Sequence, residues 1–198
     1  SSQEIIEYTN KILNLKHISA IRRPNNKPVI KRNDINNIVI NGITSIGSYA
    51  FEDCVNLTSV NYPTSLTTVG GSIFSGCTNL KSIEIPEGVT NIEYSAFEGC
   101  ASLTSLIIPN NVTRIGTSAF NGCKQLTEIT IPKAITEIGT EAFSECEKLT
   151  NIKVQNENEN FVSVDGILYS KDLKNLIKVP EGKEENIIVI ERNMSYEA

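Results

Sequence analysis

All five cysteines of this chain fall on one series: Cys54, Cys77, Cys100, Cys123 and Cys146, each 23 residues after the last. Other columns keep step with them. Phe51, Phe74, Phe97, Phe120 and Phe143 stand three residues before each cysteine, and Leu57, Leu80, Leu103, Leu126 and Leu149 three after. Internal identity at a fixed period in this range marks a solenoid, in which each unit packs only on its neighbours. A chain of 198 residues would ordinarily be one or two globular domains, but a repeat array escapes that count.

One unit shows how a coil is built. Leu103, Leu106 and Ile108 are apolar, and the last two are separated by one residue, the period of a strand with one buried face. Pro109 follows at once, as Pro63, Pro86 and Pro132 do elsewhere, and proline cannot donate to a continuing ladder. Each coil thus predicts one short strand, and stacked coils predict a parallel sheet with strands about 4.8 Å apart. Val112 and Ile115 point inward. Gly116 is expected to turn the chain at positive φ, matched by Gly47, Gly70 and Gly139, while Glu93 departs. Ala119-Phe120 is expected to open a short helical turn, with the phenylalanines stacking into a ladder.

The cysteine column has two readings. Five thiols in a row resemble a ligand set, and stacking would bring neighbouring α-carbons to about 5 Å, within disulfide reach on distance alone. Metal sites, however, use ligand spacings of about two to four residues. An even period of 23 follows from coil geometry without chemistry, which favours buried, reduced thiols acting as small apolar residues. No metal and no cofactor is expected.

The flanks break the period, so the chain divides into 1–34, 35–154 and 155–198. Ser1 and Glu4 have capping-box spacing, and Ile5, Tyr8, Ile12 and Leu15 fall near one helical face, predicting an amphipathic cap helix over 3–15. Arg22, Arg23, Lys27, Lys31 and Arg32 read as a solvated basic connection. His17, the single histidine, has no partner for a metal site. In the third segment 156–160 reads as a solvated polar loop lacking a calcium-loop arrangement. Phe161 to Val164, Asp165-Gly166 and Ile167 to Tyr169 read as strand, tight turn and strand. Leu176 to Val179 follow, and Ile188 and Ile190 repeat the strand spacing. The chain opens on Ser1-Ser2 without an initiator methionine, as a trimmed piece would, so the lack of a signal peptide carries no information about compartment.

The columns Leu-x-x-Ile-x-Ile-Pro and Val-x-x-Ile-Gly-x-x-Ala-Phe-x-x-Cys resemble the BspA-type leucine-rich repeat, found in bacterial surface antigens and in surface-protein families of protozoa. The match runs over roughly 35–154, with Tyr62, Ile73 and Glu93 departing from it. The hairpin-bearing third segment is similar to the longer repeat of the same family. The resemblance implies an α/β repeat solenoid: a right-handed arc with one parallel β-sheet, short helical turns on the convex side, an N-terminal helix and a C-terminal hairpin-bearing repeat. It also implies a non-enzymatic, cell-surface or secreted adhesin-like module that contacts host or matrix proteins through its concave sheet. An intracellular protein-interaction scaffold is the alternative.

Between the buried strand residues, two columns face outward. They are Ser59, Ser82, Ser105, Glu128 and Asn151, then Asn61, Glu84, Ile107, Thr130 and Lys153. These ten are the candidate binding residues, because stacked strands hold such side chains on one continuous surface. Ile107 is the apolar exception. No nucleophile–histidine pairing and no phosphate-cradling glycine loop accompanies them. A net charge of −5 gives no electrostatic case for a nucleic-acid partner, and no apolar run approaches the ~20 residues of a membrane helix. Sequons occur at Asn56, Asn111 and Asn193 and would matter only in a eukaryotic secretory route.

Overall fold

A computed structural model of the chain describes residues 32–39, 44–61 and 64–184. The expected helix over 3–15, the basic residues before Arg32, His17 and the strand spacing at Ile188 and Ile190 lie outside the described residues. The described residues form twelve short strands and a single 3-10 turn at Arg32–Asp34. Five coils can be followed, at 37–58, 59–81, 82–104, 105–127 and 128–150, and a sixth begins at 151.

Two columns of parallel strands run through the stack. The first contains β1 (Asn37–Val39), β3 (Ser59–Asn61), β7 (Glu128–Ile131) and β9 (Asn151–Val154). The second contains β2 (Ser45–Ile46), β4 (Thr68–Val69), β5 (Asn91–Ile92), β6 (Arg114–Ile115) and β8 (Glu137–Ile138). This corrects the expectation of one parallel sheet. In the first column β1 pairs with β3 and β7 with β9, while coils 3 and 4 keep the strand's alternation at 82–85 and 105–108 without pairing as strands. The second column pairs as β2–β4 and as β5–β6–β8.

The expected helical turns are absent, for two physical reasons. First, the turn amides are spent between coils: the amides of Ser95, Phe97 and Gly99 donate to the carbonyls of Thr117, Ala119 and Asn121 at 2.7–2.9 Å. A helix would need those donors for itself. Second, two residues per turn take left-handed backbone, which no right-handed helix accommodates. One column is Tyr49, Ser72, Ser95, Ser118 and Glu141; the other is Asp53, Gly76, Gly99, Gly122 and Glu145.

The glycine reading is corrected by the same geometry. Gly70, Gly116 and Gly139 are not at positive φ. They are there for close approach: a Cβ would lie 2.2 Å from Ser48 N at Gly70, 2.6 Å from Tyr94 N at Gly116 and 2.4 Å from Thr117 N at Gly139.

The core is a set of ladders. Phe51, Phe74, Phe97, Phe120 and Phe143 stack with ring centroids 5.5–5.8 Å apart and planes within 20° of parallel. Five leucines (Leu57, Leu80, Leu103, Leu126 and Leu149) are fully buried beside them. All five cysteines are buried and free, with no disulfide between neighbouring coils. The thiols of Cys77, Cys100, Cys123 and Cys146 donate to the carbonyls of Phe51, Phe74, Phe97 and Phe120, each at 3.2 Å.

After β9 the chain forms an antiparallel meander of β10 (Phe161–Val164), β11 (Ile167–Ser170) and β12 (Leu176–Lys178). Asp165 and Gly166 join β10 to β11 with φ of 50° and 78°, the paired positive φ of a type I′ hairpin turn. The loop before β10 is not simply solvated. Asn158 is fully buried, donates to the carbonyls of Pro132 and Ile135 at 2.8 and 3.1 Å, and accepts from the amides of Asn160 and Phe161, each at 2.8 Å. A buried amide whose donors and acceptor are met this way pins the last unit onto coil 5.

Candidate protein-binding face

The first strand column carries the candidate residues, and alternation places them. Ile83, Leu106, Ile108, Ile129, Ile131 and Ile152 point into the core, so their neighbours point out. Nine of the ten candidates are exposed and Asn151 is half-buried. Glu128 is in register with Asn151, and Thr130 with Lys153. Ser82, Glu84, Ser105 and Ile107 occupy the same places in coils 3 and 4, where the strands are not paired.

The chemistry of this face is mild. Lys153 Nζ lies 2.8 Å from Glu128 Oε2, a solvent-exposed pair that adds about 0.2–1 kcal/mol. Hydroxyls and amides make up most of the rest. Ile107 stands apart at 83% exposure, an uncovered branched aliphatic side chain in the middle of polar neighbours. Sequence reasoning missed the first rung: Asn37 and Val39 of β1 lie in register with Ser59 and Asn61, and Ser59 Oγ donates to Asn37 Oδ1 at 2.6 Å. The alternation in Asn37-Ile38-Val39 was a usable signal, but the step to Val60 is 22 residues, one short of the period.

Elsewhere the thiols are held neutral. Burial pushes Cys54 and Cys146 up to about 11, and raises Cys77, Cys100 and Cys123 further. Raised pKa values of this kind keep the thiols protonated at neutral pH, as buried structural cysteines are. Among the described residues no three His, Cys, Asp or Glu side chains gather where they could hold a metal ion. No described helix is long and apolar enough to cross a membrane. On the turn side, the Tyr49 and Tyr94 hydroxyls lie 3.1 Å apart, and that contact raises the Tyr49 pKa.

Comparison with known proteins agrees with this architecture. Residues 44–165 match the BspA type leucine rich repeat region in six copies. A leucine-rich repeat protein of Eubacterium ventriosum superposes with a TM-score of 0.67 at 30% identity, covering 78% of this chain and 41% of that one. A leucine rich cell surface protein of Faecalibacterium prausnitzii gives 0.60 at 31% identity, covering 76% and 47%. The T. pallidum leucine rich repeat protein gives 0.57 at 33%, covering 60% and 58%. The chain therefore spans about half the length of these structures. No curated protein matches it. With the repeat model covering well over half of the sequence, and the ladders of phenylalanine, leucine and cysteine stacked as the period requires, the chain belongs to the BspA-type leucine-rich repeat family.

Proposed function

We propose that this chain is a non-enzymatic protein-binding module of the cell surface, and that it meets a host-surface or extracellular-matrix protein through its first strand column. The observation that carries the reading is Ile107. An apolar side chain left 83% exposed at mid-face has no packing role, and it is the kind of anchor that a partner's pocket desolvates. Asn61, Ser82, Glu84, Ser105, Thr130 and Lys153 surround it as a polar rim, with Ser59, Glu128 and Asn151 completing the columns. The surface location draws on one relative, the F. prausnitzii protein described as a cell surface protein.

The test begins with the purified chain, immobilised and presented with extracellular-matrix proteins and with intact epithelial cells. For whichever ligand binds, Ile107→Glu should weaken affinity by about tenfold or more, equivalent to about 1.4 kcal/mol. Unchanged affinity with a correctly folded variant would move the binding site off this face.

A further inference from the structure

The coils are laced together by main-chain hydrogen bonds in three places, and the lacing is uneven. On the turn side it is complete. From coil 2 to coil 3 the amides of Ser72, Phe74 and Gly76 donate to the carbonyls of Tyr94, Ala96 and Glu98 at 2.7–3.0 Å, and every other step from coil 1 to coil 5 has the same three bonds. Tyr94 reinforces this side, its ring lying where a Cβ on Gly71 would have to be.

The second strand column is different. Gly70, Gly116 and Gly139 donate to the carbonyls of Ile46, Ile92 and Ile115 at 2.7–2.9 Å, and Thr67, Thr113 and Thr136 donate to those of Thr44, Thr90 and Thr113. The matching bonds at the step from coil 2 to coil 3, Glu93 to Val69 and Thr90 to Thr67, are not formed, and β4 and β5 belong to separate sheets. The first column does not single out this step: no strands pair across it or across the two steps that follow, and the Thr104 amide donates to the Lys81 carbonyl across it at 3.1 Å.

The step also differs at a single side chain. The glycine column exists because a Cβ there would come within about 2.2–2.6 Å of the preceding coil's backbone. Glu93 occupies that column and has a Cβ. At this column coil 3 makes no main-chain bond to coil 2, and a small apolar hollow lined by Val69 of coil 2 and by Ile85, Val89, Ile92 and Phe97 of coil 3 lies beside Glu93. The Glu93 carboxylate is turned to Arg114 of the next coil, at 3.5 Å.

We propose that the step between coils 2 and 3 is a hinge made by Glu93, pivoting on the turn column and opening at the second strand column. Motion there would change the angle between the part of the strand face bearing Ser59 and Asn61 and the part bearing Ser82, Glu84, Ser105 and Ile107. Local openings of this kind are read by amide exchange.

The experiment is residue-resolved hydrogen exchange by NMR on the whole chain, wild type and Glu93→Gly. In the wild type the amides of Thr90 and Glu93 should exchange about tenfold or more faster than their equivalents Thr113, Gly116, Thr136 and Gly139. In Glu93→Gly the amides at 90 and 93 should slow toward those equivalents, and the melting temperature should rise. Equal protection in the wild type would overturn the hinge. Fast exchange persisting in Glu93→Gly would overturn Glu93 as its cause.

Discussion

The Cys123 thiol donates to the Phe97 carbonyl one coil back, and so does each cysteine after the first to its own phenylalanine. Each of these carbonyls already accepts from the cysteine amide of its own turn at 3.1–3.2 Å, so the thiol of the next coil is a second donor that ties one turn to the following one. This has a consequence for alkaline stability. Burial raises the folded-state pKa of all five thiols, to about 11 for Cys54 and Cys146, against about 8.5 when unfolded. The unfolded chain then releases protons first as pH climbs. Stability held below about pH 8.5 is lost upward from there, by up to about 1.4 kcal/mol per pH unit for each thiol. Urea titrations at pH 8 and pH 10 should show the fall, and Cys100→Ala should make it shallower by one thiol's share. An unchanged slope in that variant would mean the thiol ionises as easily in the fold as outside it.

At the scale of elements, the phenylalanine ladder and the laced turns form one unit. Phe97 lies 5.8 Å from Phe74 and 5.5 Å from Phe120, ring centroid to ring centroid, so it is stacked on both sides. Truncating it leaves a cavity that the hydrogen-bonded turns around it cannot close. Phe97→Ala should cost about 3–5 kcal/mol, read from the denaturation midpoint at unchanged m-value. A loss below about 1 kcal/mol would show that the turns collapse into the space. The ladder columns were legible because a repeated side chain is a repeated position. The turn conformation was not. Alanine followed by phenylalanine looks like helix by propensity, and nothing local to it reveals that the amides of Ser95, Phe97 and Gly99 bond to the next coil. The Gly-Cys pairs at Gly76, Gly99 and Gly122 did carry the positive-φ signal, whereas Gly116 invited the same reading and serves another purpose. Asn158 was hidden for a related reason: its partners are carbonyls of Pro132 and Ile135, distant in sequence and placed by the stack.

At the scale of the whole, the described residues form a column of near-identical rungs, with a meander after the last of them and a candidate contact surface down one side. The outward positions of that surface, from Ser59 to Lys153, were legible from alternation alone; which of them a partner touches was not, because a binding residue obeys no period. Ile107 is informative for breaking the polar pattern of its column, and Glu93 for breaking the glycine column. Both readings require that equivalent residues lie directly above one another. Native-sulfur anomalous diffraction from crystals of this chain tests that requirement most directly. The five cysteine sulfurs should appear as a single row, each about 4.8 Å from the next along the stack. Sulfurs scattered through the molecule, or paired at the ~2.05 Å of a disulfide, would contradict it.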